Sequence, residues 1–278
     1  MNNYSPLRYP GGKANLATYL RHIIQNMNIE GCSYFELYAG GAGAALDLLF
    51  TGTVNRIILN DADFHIYAFW KSILENTDEF IKLIESTPIY LESWYRQRDI
   101  YNDDVNNHSM LEVGFSTFFL NRCNRSGIIT KAGPIGGIEQ NGQYKIDCRF
   151  NKTNLIKRIR DIANRSNDIE IYNEDTLEFI RMNLHRLQDE HSFMYLDPPY
   201  YKKGKSLYLN FYTHEDHENL RDLLSTLRDL KWMISYDNVT EINELYSGFS
   251  SSLHMLNYSL QTKRKTNEFF VFSDTIIL

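Results

Sequence analysis

The apolar run FMYL ends in Asp197, Pro198, Pro199 and Tyr200, followed by a second tyrosine. A strand running into a turn explains the prolines, which fix their own φ, disfavour helix in the residue before them and cannot donate to a ladder. It explains neither the acid nor the paired rings. A carboxylate beside a rigid carbonyl suits an exocyclic amine, whose lone pair is delocalised into its ring and must be drawn towards tetrahedral geometry before it can attack an electrophilic carbon. Asp197 supplies the carboxylate and Pro198 the carbonyl, since proline lacks only the donor. The prolines keep both acceptors aimed as positive charge develops on nitrogen. Tyr200 offers a flat face on which a base that has left a duplex can stack.

A second chemical stretch is SYFELYAGGAGAALDLL. Gly40, Gly41 and Gly43 follow a short apolar run and precede an Ala/Leu-rich helix, so the backbone can approach a ligand and helix N-terminal amides are left to donate. The loop does not match GxxxxGK[ST], and no triphosphate is expected. About twenty residues on, IILNDAD carries Asp61, placed as the acid that binds ribose hydroxyls in dinucleotide folds. These residues alone leave NAD and S-adenosylmethionine both open.

The elements that must position these residues follow from periodicity. Apolar runs at 34–38, 57–60, 169–172, 193–196, 232–236, 253–258 and 269–272 alternate with amphipathic stretches, the pattern of a sheet with helices on both faces. The last two runs, joined by the polar LQTKRKTNE, read as an antiparallel pair. Helices are expected after Gly12, near Ala42 and Phe64, at Asp175 and at Thr213, where THED offers a capping box. Between Trp70 and Arg165 the rhythm fails. The glycine-rich KAGPIGGIEQNGQY sits there, with a hairpin or long loop expected at Gly133 to Tyr144. The boundaries read as a catalytic domain over 1–63 and 166–278 with an inserted domain over 64–165.

The formal net charge is −6, yet residues 121–165 hold ten basic residues against three acids, so this segment is +7 and the remainder −13. A basic segment on an acidic chain is the footprint of local phosphate binding, and equally that of a solvated helix face. His214 and His217 flank Asp216, but without an i,i+4 pair or further ligands they read as a helix start, and no metal is expected. The three cysteines have no metal-binding spacing and are expected as reduced thiols. With no apolar run of membrane-spanning length, the sequence reads as cytoplasmic, with no membrane partner.

Taken in order, RYPGGK, FELYAGGAG, YNED and DPPY resemble the motifs of the DNA adenine-N6 methyltransferases of the Dam type, over essentially the whole chain. Leu37 stands where many members have proline, and Tyr9 where others have tryptophan. The resemblance implies a class I methyltransferase fold, a Rossmann-like doubly wound α/β sheet, with an inserted, mainly helical target-recognition domain carrying a hairpin loop. It implies S-adenosylmethionine as cofactor, with Tyr9 and Lys13 near its methionine end, Gly40 and Gly43 at the backbone turn, Asp61 on the ribose, Asp175 on the adenine amine and Tyr38 also among the cofactor-binding residues. It makes Asp197, Pro198, Pro199 and Tyr200 the catalytic residues and double-stranded DNA the partner. Arg122, Arg125, Lys131, Lys145 and Arg149 become candidates for DNA contact. A cognate restriction endonuclease and a monomer or weak dimer are compatible with it. Other planar amines, namely cytosine N4, RNA adenine and a glutamine amide, suit the same acceptors. Asp rather than Ser or Asn at position 197 favours adenine, and the basic insertion favours nucleic acid. An inactive DNA-binding module of the same fold is the rival from another class.

Overall fold

The computed structural model describes residues 4–8, 14–201, 212–259 and 263–277, which group into two compact units. The first takes Gly11–Ala62 and Tyr172–Leu278; the second takes Tyr4–Pro10 and Asp63–Ile171.

Seven strands form one sheet: β1 (Ser33–Glu36), β2 (Arg56–Asn60), β3 (Ile169–Tyr172), β4 (Ser192–Leu196), β5 (Trp232–Asp237), β6 (Ser250–Ser259) and β7 (Lys263–Phe272). Their order is β3-β2-β1-β4-β5-β7-β6. β1 runs parallel to β2 and β4, and β4 parallel to β5, while β7 lies antiparallel between β5 and β6. This is the class I methyltransferase arrangement. β4 and β5 are buried along their whole length, which is why they read as near-continuous apolar runs rather than as alternating ones.

Alternation nevertheless assigns the faces. Phe35, Leu37, Met194, Leu196, Ile234 and Tyr236 join one core cluster with Phe179, Leu220 and Leu224 of the following helices. Tyr34, Glu36, Tyr195, Ser235 and Asp237 therefore point to the opposite face. There the helices α1 (Ala14–Asn26) and α2 (Gly43–Phe50) pack, with Tyr19 of α1 against Phe270 of β7. Trp232 is fully buried and its indole N–H donates to the Leu227 carbonyl at 2.8 Å, so the largest side chain of β5 leaves no polar atom unmatched.

The second unit contains α3 (Phe64–Glu75), α4 (Thr77–Ser86), α5 (Leu91–Asn102), α6 (Met110–Cys123) and α7 (Lys152–Ala163). A Ser109/Glu112 capping box opens α6, which is then buried on nearly every side, as a central helix must be. At Gly114 a Cβ would come within 2.5 Å of the Ala68 carbonyl, so the α3–α6 crossing depends on a residue without a side chain. Phe69, Phe80, Phe115 and Phe118 interlock around that crossing. The N-terminal segment joins this unit because Asn121 clasps it: the carboxamide accepts from the Arg8 N–H at 2.7 Å and donates to the Arg8 carbonyl at 2.8 Å.

Of the hairpin or long loop expected at 133–144, the long loop is found. Residues 133–144 make no strand ladder; an isolated bridge between Asn124 and Pro134 is followed by turns. Positive φ at Gly136, Gly137 and Gln140 breaks the extended geometry a hairpin needs. The Gln140 side chain replaces the ladder, donating to the carbonyls of Ile135 and Gly137 at 2.8 and 2.6 Å and accepting from the Ile146 N–H at 2.9 Å.

After β3 the first unit resumes with α8 (Thr176–Met182), α9 (Leu184–Leu187), α10 (His214–Ser225) and α11 (Thr240–Leu245). The capping box expected from THED is present, Thr213 and Asp216 satisfying each other's backbone N–H.

Candidate active site

The sheet order changes direction between β1 and β4, and ligands of doubly wound sheets bind outside the carboxyl ends of strands at such a point. Both chemical stretches leave the sheet there. The Leu37 N–H donates to the Tyr195 carbonyl at 3.2 Å, so the loop after β1 and the loop after β4 start side by side.

The β1 loop is bent through left-handed conformations, Gly40 at φ 45° and Ala42 at the same angle. Glycine takes this without penalty; Ala42, buried at the mouth of α2, takes it at a cost of about 1 kcal/mol. The bend is braced from β2. The Gly40 N–H donates to the Asp61 carboxylate at 2.8 Å, and the Ala39 N–H to the Asn60 carbonyl at 3.0 Å. Glu36, almost fully buried, accepts from the Ala45 N–H at 3.1 Å and so satisfies an amide in the first turn of α2. Asp175 caps α8, accepting from the N–H groups of Leu177 and Glu178, and Asn60 exchanges hydrogen bonds with the backbone of Glu174. Tyr38 pairs its hydroxyl with that of Tyr212 at 2.7 Å, and burial raises the pKa of both.

In the β4 loop, Pro198 and Pro199 are buried while Asp197 and Tyr200 are half-buried. Ser235 of β5 donates to Asp197 Oδ1 at 3.0 Å, and the Tyr195 hydroxyl lies 2.6 Å from the Ser235 oxygen. A carboxylate only accepts, so the relay runs from Tyr195 through Ser235 to Asp197. The Tyr200 hydroxyl donates to Glu268 at 2.7 Å, and the Tyr201 N–H to Asp237 at 3.0 Å. Burial, reinforced by Asp197 and Glu268, raises the Tyr200 pKa strongly, which keeps the phenol protonated as a donor.

The donor set fits S-adenosylmethionine. A carboxylate stands at the end of β2, where ribose hydroxyls are taken in such folds, the loop turns at Gly40, and a Cβ built on Gly43 would meet no atom within 4 Å, so the wall of the loop is open. Tyr9 and Lys13 lie outside the described residues. Among the described residues no group of three or more His, Cys, Asp or Glu side chains is arranged to hold a metal ion.

The model of the D12 class N6 adenine-specific DNA methyltransferases matches residues 9–260. The chain belongs to this family. The D12 methyltransferase is 24% identical over 268 residues to the Type II methyltransferase M.MjaIII of Methanocaldococcus jannaschii, covering 88% of each chain. It is 23% identical over 256 residues to M1.LlaDCHI of Lactococcus lactis subsp. cremoris, covering 87% of this chain and 84% of that one. A putative RNA methyltransferase from Pyrococcus horikoshii is structurally similar at a TM-score of 0.43 with 10% identity, covering 96% of this chain and 87% of the other, a likeness too loose to bear on function. The family's reaction is site-specific methyl transfer from S-adenosylmethionine to adenine N6 in DNA.

In the second unit of this D12 enzyme the five basic candidates differ among themselves. Arg122 is turned inward: its guanidinium donates to the Arg149 carbonyl, at 2.8 Å from Nε, and to the Pro6 carbonyl at 3.4 Å. Burial, with Arg8 and Arg158 near, lowers its pKa. Lys145 reaches the Gln140 carbonyl and Arg125 the Pro134 carbonyl. Lys131 and Arg149 are exposed, as are Arg125 and Lys145. A cleft of about 430 Å³ lies where Tyr90 and Leu91 meet Gln140, Lys145 and Ile146.

Sequence reasoning missed Ser235, Asp237 and Glu268. The signal was present, since WMISYD and NEFFVF carry polar residues inside runs that burial on both faces otherwise makes apolar.

Proposed function

We propose that the enzyme methylates adenine N6 at a defined site in double-stranded DNA after the base has swung out of the helix, with the Asp197 carboxylate and the Pro198 carbonyl holding the amine. The observation that carries this reading is the Ser235–Asp197 hydrogen bond at the switch point of the sheet: it fixes one carboxylate oxygen and thereby the direction of the other. Two acceptors on one NH2 draw it out of conjugation and stabilise the charge that develops on nitrogen. The buried prolines keep the carbonyl from swinging away. Tyr200 supplies the stacking face, and extrusion makes the amine reachable because a paired base hides it.

S-adenosylmethionine supplies an electrophilic methyl group on a sulfonium. Asp61 orients the glycine loop and takes the ribose hydroxyls, Gly40 and Gly43 let the backbone lie close, and Tyr38 and Asp175 line the adenine side. Tyr9 and Lys13 are assigned to the methionine end. No covalent enzyme intermediate is needed. Arg125, Lys131, Lys145 and Arg149 hold DNA phosphates or base edges, while Arg122 shapes the surface that presents them. The Type II name of both curated relatives supports a companion restriction endonuclease. A DNA substrate places the reaction in the cytoplasm of a prokaryotic or phage-infected cell, by a monomer or weak dimer.

The test is transfer of labelled methyl groups from S-adenosylmethionine to plasmid DNA, total RNA and protein, with the DNA hydrolysed to nucleosides. Label in N6-methyladenine supports the reading. Label in N4-methylcytosine, RNA or protein, or in none of the three, defeats it. Sequencing sensitive to N6-methyladenine then reads out the target site.

A further inference from the structure

Asp237 and Glu268 are register partners across the antiparallel β5–β7 ladder, and both are buried, at 9% and 1% exposure. Directly opposed residues of an antiparallel pair project from the same face, so two carboxylates stand side by side where like charges oppose each other. Buried carboxylates persist only where donors meet them. Here each meets a donor from the same short loop. Glu268 accepts the hydroxyl of Tyr200, and Asp237 accepts the N–H of Tyr201, the next residue. A side-chain donor and a main-chain donor from consecutive residues thus fall on adjacent acids of two strands. Together they fix both the path of the chain out of the DPPY loop and the far end of the Tyr200 ring.

We propose that Asp237 and Glu268 form a carboxylate clamp that fixes the direction of the Tyr200 ring axis, and so act as positioning residues for the extruded adenine. The inference deepens the reading above and rests on Tyr200 as the stacking face. A phenol swings about χ1 unless its two ends are held; the Tyr201–Asp237 bond holds the backbone end and the Glu268 bond the hydroxyl end, so the ring stays at one place in the site. Preorganising the platform removes a cost that base capture would otherwise carry at each turnover. The antiparallel strand β7 acquires a direct role in the site, because its Glu268 accepts from the Tyr200 hydroxyl.

The test uses the full chain and DNA carrying the mapped target, with kcat and KM from methyl transfer, cofactor affinity from calorimetry, and 2-aminopurine at the target position to report extrusion. Glu268→Ala is expected to lower kcat/KM about ten- to a hundredfold, the worth of a hydrogen bond to a charged group, with a weakened 2-aminopurine signal and unchanged cofactor affinity. Glu268→Gln keeps an acceptor and should recover most of the loss. Tyr200→Phe, which keeps the ring and drops the hydroxyl, should match Glu268→Ala, and the double variant should be no worse than either. Asp237→Ala should shift the same readouts and Asp237→Asn restore them. The clamp is overturned if Glu268→Ala or Asp237→Ala works at the wild-type rate, or if the Tyr200→Phe and Glu268→Ala losses multiply. Should Glu268→Ala fail to fold, Tyr200→Phe decides, and a wild-type rate for it overturns the clamp. Full activity in Tyr200→Ala overturns the stacking reading itself; loss in Tyr200→Ala beside wild-type rates in Tyr200→Phe and Glu268→Ala overturns only the clamp.

Discussion

The loop after β4 and the glycine-rich arm between Asn124 and Phe150 are both irregular, and they are held in opposite ways. In the first, the side chains and one backbone N–H of the loop are met by side chains of β5 and β7, in the buried sheet. In the second, Gln140 and Asn124 hold carbonyls of the arm itself, Asn124 donating to Ile128 and Ile129, and the charged ends stand in water. Under the proposed function, the difference teaches that a group required to act within a fraction of an ångström is tied to rigid strands, whereas groups that meet a long polyanion need reach more than exactness of place.

The contrast breaks first at Asp197. Replacing it by Ala should reduce methyl transfer by about a hundred- to a thousandfold, the scale of losing one preorganised electrostatic partner, with cofactor affinity intact by calorimetry. Parallel loss of both would mean that the residue supports the fold rather than the reaction. Next comes Gln140→Ala, which removes three bonds from the arm. We expect a rise in KM for DNA of roughly tenfold, faster proteolysis within 133–146 and little change in global melting temperature. A fall in melting temperature with unchanged KM would mean that the arm supports the fold rather than DNA contact.

Two arginine and lysine variants sharpen the comparison further. Arg122→Ala should lower the melting temperature by several degrees, because the carbonyls of Arg149 and Pro6 lose their donor, at a cost of about 1–3 kcal/mol. Lys131→Ala should leave melting unchanged and reduce the slope of log affinity against log salt by about one. Interchanged outcomes would reverse which of the two contacts DNA.

The smallest effect belongs to His217. Its ring is buried, its Nδ1 meets the Tyr236 hydroxyl at 3.0 Å, and burial lowers its pKa to about 4. The unfolded chain therefore binds a proton more readily than the folded one between the two pKa values. The stability tied to the neutral ring is complete above about pH 6.5 and lost as pH falls towards 4. Thermal melts of His217→Asn across that window should fall less steeply with acid than those of the wild type; parallel curves would remove the histidine from the account.

How much of this was legible in the sequence depends on whether a property is local. The glycine loop, Asp61 and DPPY were readable because turn chemistry and a strand end fit within a few residues. The contacts that Ser235, Asp237 and Glu268 make with the loop after β4 were not, since they arise from register between strands far apart in sequence. Of the hairpin or long loop expected at 133–144, the loop is what forms, local glycines with φ of 88° and 77° at Gly136 and Gly137 outweighing strand pairing. The count of basic residues over-read the surface: Arg122, Lys152 and Arg158 donate to backbone carbonyls within their own unit.

The bond between Asn121 and Arg8 carries a consequence for engineering. A chimera that borrows only the continuous stretch 63–171 from another member would leave residues 4–10, which pack in the same unit and whose Arg8 guanidinium donates to the Arg122 and Asn124 carbonyls, from the recipient. Residues 4–10 have to travel with it. Modularity here is a property of two separate cassettes exchanged together, and libraries that shuffle specificity should place four crossovers rather than two.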